Sequence, residues 1–120
     1  MPGLIPALPV KQKHVKPINP QIMENFNSII HSSKPVLVDF FAEWCGPCKT
    51  MAPILKETKA QLGEQATIIK VDVDKNQQAA AAYQIRSVPT LMMFKNGKIV
   101  WQQSGVVPAR ELVQLFQKFA

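Results

Sequence analysis

The sequence contains little cysteine and has no long apolar run. Two of its 120 residues are cysteine, which is too few for a four-cysteine zinc site or for the disulfide framework of a small secreted protein. The two histidines, His14 and His31, lie far from the cysteines and lack zinc-finger spacing, so we expect no metal site. No segment approaches the roughly 20 apolar residues that cross a bilayer, so we expect no membrane partner.

Acidic residues are absent from residues 1–16, which hold three lysines. The remainder carries eleven basic and eight acidic residues, a mildly basic surface from which we expect no nucleic-acid partner. The first ten residues lack an early positive charge, arginine and serine, so they are typical neither of a signal peptide nor of a transit peptide. We therefore expect a soluble protein of a reducing compartment, the cytoplasm.

Prolines divide the chain into two parts. Residues 1–14 contain Pro2, Pro6 and Pro9, and because proline fixes φ and removes a donor we expect a flexible extension there. Residues 15–120 are predicted to form one domain, since the chain is 47% hydrophobic and shows no later boundary. We expect this domain to be a monomer.

Hydrophobic periodicity predicts a domain of alternating strands and helices. Four helices are expected, at 20–31, from the cysteines to 62, at 76–83 and at 108–119. Five strands are expected, at 15–18, 36–41, 66–73, 90–94 and 98–102, and Asn96-Gly97 between the last two indicates a hairpin. The apolar runs at 36–41 and 66–73 are expected to be buried strands, the first of them on both faces. The order predicts an α/β fold whose central mixed sheet of five strands, with a short edge strand, has helices on both faces.

Both cysteines lie in one short stretch, Trp44-Cys45-Gly46-Pro47-Cys48-Lys49. Residues one helical turn apart have Cα atoms close enough for a disulfide. A disulfide that closes so short a loop stabilises the folded protein little, which favours a bond that forms and breaks during a reaction. Cys45 is expected at a helix N-terminus, where backbone N–H groups favour a thiolate, and Cys48 one turn later is expected to be less exposed. The sequence thus predicts dithiol–disulfide exchange in which Cys45 attacks and Cys48 resolves the mixed disulfide.

Two charged residues interrupt apolar strands. Asp39 lies in the strand that leads to Cys45, and burial is expected to raise its pKa, which would suit it to accept the Cys48 proton through water. Lys70 interrupts the strand 66–73 and is a candidate partner for Asp39. The alternatives are a structural hydrogen bond for Asp39 and a Lys70 side chain that extends to solvent.

Two further residues point to a binding surface. Pro89 begins a strand, where proline cannot donate to the ladder. Trp44 precedes the nucleophile and is either a core residue or an exposed contact for a protein substrate. The polar turn that follows favours the exposed position.

The chain resembles the thioredoxin family over about residues 15–120. The likeness lies in VDFFAEWCGPCK at 38–49, in VDVD at 71–74 and in YQIRSVPTLMMFKNG at 83–97. It implies the thioredoxin fold and a general protein-disulfide reductase. Phe41 departs from the tryptophan that the family often has, and the proline-rich extension has no family counterpart.

The resemblance also implies roles for individual residues. Cys45 is the nucleophile, Cys48 the resolving thiol, and Asp39 with Lys70 the buried proton relay. Pro89 corresponds to the family's cis-proline. The groove for extended substrate chains corresponds to Trp44, Gly46, Pro47, Val88, Pro89, Thr90, Gly105 and Val106.

The implied partners are disulfide-containing proteins and thioredoxin reductase, a flavoprotein that uses NADPH. Both NADPH and FAD belong to that partner, so this chain is expected to bind no cofactor and to carry only the redox-active Cys45–Cys48 disulfide. Two other functions stay open: a redox-inert subunit that uses the fold for docking, and an oxidase or isomerase of an exported compartment. The Gly46-Pro47 pair disfavours the second of these, because disulfide-forming relatives usually differ there.

Overall fold

The structure, a computed structural model, describes residues 26–120. Residues 26–30 are helical and form α1. The other elements follow as β1 Val36–Phe41, α2 Gly46–Leu62, a 3-10 turn Gly63–Gln65, β2 Thr67–Asp72, α3 Gln77–Ala82, β3 Thr90–Lys95, β4 Lys98–Ser104 and α4 Ala109–Lys118.

The described strands form one sheet in the order β2-β1-β3-β4. β1 pairs in parallel with β2 and antiparallel with β3, and β3 pairs antiparallel with β4, so the sheet is mixed as predicted. Within residues 26–120 it has four strands, one fewer than the five expected. The predicted edge strand at 15–18 lies outside the described residues, as do the extension 1–14 and the start of the predicted helix 20–31.

β1 is the central strand because its residues are apolar toward both faces of the sheet. Val36, Val38 and Phe40 pack with α1 and with residues around α3 on one face. Leu37 packs with α2 and α4 on the other. Burial on both faces confirms the expectation for this strand.

The expectation that β2 is fully buried is wrong. Its first four residues, Thr67 to Lys70, are exposed or partly exposed, and Val71 and Asp72 are buried. The reason is its position, because β2 is the outermost strand of the sheet within the part of the chain described here.

α2 begins and ends where its sequence predicts. Cys45 is the N-cap and Pro47 lies in the first turn, where its missing N–H costs no hydrogen bond. Gly63 ends the helix with φ at 57°, and its N–H donates to the Lys59 carbonyl. One face of the helix is buried, at Met51, Leu55 and Thr58.

The hairpin between β3 and β4 turns at Asn96 and Gly97, whose φ values are 53° and 78°. Positive φ at both central positions is what the Asn-Gly pair predicts for a type I′ turn. The turn packs on the end of α1, since the N–H of Gly97 donates to the Ile30 carbonyl at 2.9 Å. A Cβ on Gly97 would collide with the His31 imidazole.

We expect Gly97→Ala to lower the free energy of unfolding by about 2 kcal/mol, through strain at positive φ and through the collision with His31. In a His31→Ala background only the backbone strain remains, so the same change should cost about half as much. Chemical denaturation of the four proteins measures both costs. Equal costs in the two backgrounds would show that the imidazole is not the obstacle.

Candidate active site

The cysteine pair lies where β1 gives way to α2. Cys45 and Cys48 form a disulfide with a Cα–Cα distance of 5.3 Å. Cys45 is the N-cap of α2, and its Sγ accepts a hydrogen bond from the Cys48 N–H at 3.1 Å. The backbone at the start of the helix therefore points a donor at the Cys45 sulfur, where it would stabilise negative charge.

The predicted difference in exposure between the two cysteines is absent. Cys45 is 4% exposed and Cys48 5%, so both are buried in the oxidised protein. Cys45 is covered because its Sγ lies 3.5 Å from the Val88 carbonyl oxygen, on a loop that the sequence places 43 residues away. What distinguishes the two sulfurs is their position on the helix, not their accessibility.

The loop that covers Cys45 holds the predicted proline. The Val88–Pro89 peptide bond is cis. The Pro89 carbonyl accepts from the Gly105 N–H at 2.9 Å, and this bond ties the β3 start to the end of β4. The Thr90 hydroxyl donates to the Ser87 carbonyl at 2.7 Å and lies 3.0 Å from the Ser104 hydroxyl.

Several of the residues expected to form the substrate groove lie at the protein surface. Trp44 is 72% exposed and Val106 41%, while Gly46 and Pro47 are also exposed. Val88 and Gly105 are partly exposed, and Thr90 is buried. Exposed apolar side chains beside a disulfide form a surface to which an extended apolar chain can bind.

Asp74 fixes the position of Trp44, a role that the sequence analysis missed. The Trp44 Nε1–H donates to Asp74 Oδ2 at 2.8 Å. Asp72 holds this loop through its Oδ1, which accepts from the N–H groups of Asp74 at 2.8 Å and Lys75 at 3.2 Å. The two aspartates of the VDVD run could have predicted an ordered turn here, because an aspartate just after a strand commonly accepts hydrogen bonds from the backbone of a turn.

Asp39 is fully buried, and both its carboxyl oxygens lack a hydrogen-bond partner in the described structure. It lies two residues after Leu37 on β1, so its side chain points to the same face of the sheet as Leu37, toward α2. Burial raises the pKa of Asp39 from 3.8 to about 6, and the positive charge of Lys70 offsets part of that rise. Within residues 26–120 Asp39 thus accepts no structural hydrogen bond, which was the alternative role for this residue.

Lys70 is the residue directly opposite Asp39 in the parallel pairing of β1 and β2. Its Nζ lies 4.6 Å above the centre of the Phe41 ring, and no ion pair joins it to a carboxylate of the described chain. Lys70, Phe41 and Cys48 line one hollow of about 290 Å³. The ammonium therefore acts on Asp39 across a distance and leaves the carboxyl group free to bind a proton.

Among residues 26–120 no group of three or more His, Cys, Asp or Glu side chains could hold a metal ion. No helix in the same range is long and apolar enough to cross a membrane.

The geometry defines the class: an α/β protein whose disulfide lies at a helix N-terminus beside a proline loop is a thiol–disulfide oxidoreductase. The sequence profile of the Thioredoxin family matches residues 17–118. The chain belongs to the thioredoxin family, and its activity is protein-disulfide reduction through the Cys45–Cys48 pair. Proteins of this family use that disulfide and carry no further cofactor.

Individual relatives agree with this assignment. The thioredoxin-like protein slr0233 of Synechocystis is 48% identical over 96 residues, which cover 79% of this chain and 91% of that protein. Thioredoxin Y of rice, named as chloroplastic, is 44% identical over 95 residues, and the match covers 78% of this chain and 56% of the rice protein. The solution structure of oxidised thioredoxin from Plasmodium falciparum is 41% identical with a TM-score of 0.68, covering 81% of this chain and 91% of that one.

The buried Asp39 predicts a pH-dependent stability. Because its folded-state pKa is about 6 against 3.8 in the unfolded chain, the folded protein binds the extra proton between these values. Stability is therefore lost as pH rises from 4 to beyond 6, by about 2–3 kcal/mol, and stays lower above that range.

Asp39→Asn removes this titration. The unfolding free energy of the oxidised proteins is measured by chemical denaturation. The value for the variant minus the value for the wild type should increase by about 2–3 kcal/mol from pH 4 to pH 8. The matched control is Glu57→Gln, at an exposed position on α2, which should show no such gain. A constant difference between wild type and Asp39→Asn across the range would mean that Asp39 does not titrate there.

Proposed function

We propose that Cys45 is the attacking thiol in this reductase. The supporting observation is the Cys48 N–H that donates to the Cys45 sulfur at the N-cap of α2. In the reduced protein the same donor and the helix dipole would stabilise the thiolate of Cys45. The Cys45 thiolate then attacks one sulfur of a substrate disulfide, a mixed disulfide forms, and the other substrate sulfur leaves as a thiolate.

Cys48 completes the reaction. Its thiolate attacks Cys45 in the mixed disulfide, the bond to the substrate breaks, and the substrate leaves with its second thiol. The protein gives up two electrons in all and is left with the Cys45–Cys48 disulfide, the state described here. The 5.3 Å between the two Cα atoms is within the range of an unstrained disulfide, so ring closure needs little backbone movement.

We infer that Asp39 accepts the Cys48 proton in this second step. Its carboxylate is buried without a hydrogen-bond partner in the described structure and has a pKa of about 6, so near neutrality it is mostly ionised and still basic. Cys48 and Lys70 line one hollow, and we propose that water in it carries the proton toward Asp39. Lys70, opposite Asp39 in the sheet, would keep the pKa from rising further.

The substrate chain is proposed to lie in the shallow groove beside the disulfide. Trp44 and Val106 offer exposed apolar surface at its two sides, and Asp74 holds the indole in place. Val88 covers Cys45, and the Gly105 N–H is hydrogen-bonded to the Pro89 carbonyl. Gly46 and Pro47 are exposed next to Cys45, and Gly46 has no side chain that would obstruct a substrate chain there.

We propose an NADPH-dependent flavoprotein thioredoxin reductase as the source of electrons and a monomeric state for the chain. The Gly46-Pro47 pair, typical of reducing family members, supports a reducing compartment. The cytoplasm is our proposal for that compartment. The chloroplast is the alternative, because two of the relatives are named as chloroplastic.

The domain proposed for this activity is 15–120, with 1–14 as an extension outside it. The family match at 17–118 supports the boundary.

Two cysteine variants test the order of attack. Cys45→Ser should abolish the acceleration of insulin reduction by dithiothreitol, which is followed as turbidity. Cys48→Ser should instead accumulate a mixed disulfide with insulin, because Cys45 still attacks and nothing resolves the product. Non-reducing mass spectrometry detects that adduct. An adduct on Cys48 in the Cys45→Ser protein, with none in Cys48→Ser, would reverse the assignment.

Asp39→Asn tests the proton step separately. The variant should still attack substrate, but the mixed disulfide should persist about tenfold longer or more at pH 7, since general base catalysis typically contributes 10²–10⁴-fold. Acid quenching of a single turnover, followed by separation of the adduct, measures its lifetime. Glu57→Gln, remote on the α4 side of α2, is the control and should match the wild type. An unchanged lifetime in Asp39→Asn would exclude Asp39 as the proton acceptor.

A further inference from the structure

A basic groove runs along the seam between α2 and β2. The part of the groove farther from Cys48, about 380 Å³ in volume, has an apolar base of Ala52, Leu55 and Ile68. Lys56, Lys59 and Lys70 surround that base. Within residues 26–120 β2 is the outermost strand of the sheet, and α4 packs against the other side of α2.

The groove is continuous with the active site. Ala52 and Lys70 also line the hollow of about 290 Å³ that contains Cys48, and Lys49 stands there as a further cation. The single carboxylate in the two linings is Glu43, which lies 3.7 Å from Lys75 in an exposed ion pair. The seam thus leads from the disulfide past four lysines.

The lysines are available to an incoming anion. Lys49 and Lys56 are exposed and join no ion pair in the described structure. Lys59 donates to the Ala66 carbonyl at 2.6 Å, which positions its charge over the far end of the groove. The acid of the neighbouring turn of α2, Glu57, lies on the other side of the helix and faces α4. Within residues 26–120 no carboxylate lines this part of the groove, and Lys70 alone among its lysines interacts with an acid, the buried Asp39.

We propose that this groove binds a carboxylate-rich segment of the protein whose disulfide Cys45 reduces. The inference rests on the proposed function and deepens it by naming a substrate class. Charge complementarity selects the occupant: four lysines attract Asp and Glu side chains, while the apolar base accepts the aliphatic parts of the same chain. The neutral surface at Trp44 and Val106 supplies no such selection.

The helix gives the spacing that such a substrate needs. Lys56 and Lys59 follow Cys45 by 11 and 14 residues, so they lie about 16–21 Å from it along the axis. An extended chain rises about 3.3 Å per residue, so acids about five or six residues from the substrate cysteine reach these lysines. Acids adjacent to the cysteine do not.

Disulfide-linked peptide dimers test the spacing. One peptide carries three glutamates that begin five residues from its cysteine, on either side in separate versions; a second has glutamines there; a third has the glutamates next to the cysteine. The full-length protein, reduced beforehand, is mixed with each dimer, and acid quenching gives the second-order rate constant of a single turnover. No reductase is present, so only the substrate contact is measured.

The spaced acidic peptide should react about three- to tenfold faster than the glutamine peptide at low salt, and the advantage should fall as salt screens exposed charges. Lys56→Glu should remove most of the advantage. Lys98→Gln and Lys56→Gln change the net charge equally, but Lys98 is exposed near the hairpin turn, so only Lys56→Gln should reduce the preference.

Each contrary outcome has a distinct meaning. Equal rates for the spaced acidic and glutamine peptides, or a preference that survives Lys56→Glu, would overturn the groove proposal. Suppose that the peptide with adjacent glutamates is preferred and that Lys98→Gln weakens this preference as much as Lys56→Gln does. The groove proposal would then be replaced by a general attraction of acidic peptides to a basic protein. Failure to reduce the glutamine peptide at all would instead contradict the proposed reductase chemistry.

Discussion

The hydrogen bond from the Cys48 N–H to the Cys45 sulfur is the contact on which the chemistry depends. It exists because α2 begins at Cys45, and α2 begins there because β1 ends at Phe41 and a tight turn follows, with the Cys45 N–H bonded to the Ala42 carbonyl. β1 in turn is held by apolar contacts on both of its faces. The position of one sulfur is therefore set by the packing of the whole central strand.

Asp39 is in conflict with that packing. A carboxyl group buried without hydrogen bonds costs free energy when it ionises, and a fully apolar β1 would avoid the cost. The ammonium of Lys70 relieves only part of it, because Lys70 lies over the Phe41 ring and forms no ion pair with Asp39 in the described structure. The fold tolerates the penalty because two apolar clusters support the strand. An unpaired acid is also the form that can exchange protons.

Local patterns predicted local features well. The Asn96-Gly97 turn, the start of α2 and the burial of Asp39 each follow from a few neighbouring residues. Contacts between distant loops could not be predicted this way. The parallel pairing of β1 with β2 and the antiparallel pairing of β1 with β3 bring three loops to the same end of the strands. Asp74 contacts Trp44, and Val88 covers Cys45, because of this arrangement. The partial exposure of β2 likewise depends on strand order, which hydrophobicity along one segment does not encode.

α2 separates reactivity from recognition within one helix. The first turn of α2 acts on the Cys45 sulfur through backbone groups. Side chains at later positions of the helix do not change these groups. Its exposed positions toward β2 are therefore free to carry charge, and Lys49, Lys56 and Lys59 lie there in succession. Since disulfide exchange itself distinguishes poorly between substrates that reach Cys45, selectivity must come from surfaces beyond the reacting atoms. A charged seam that starts at the disulfide and runs along the same helix satisfies that requirement without altering the chemistry.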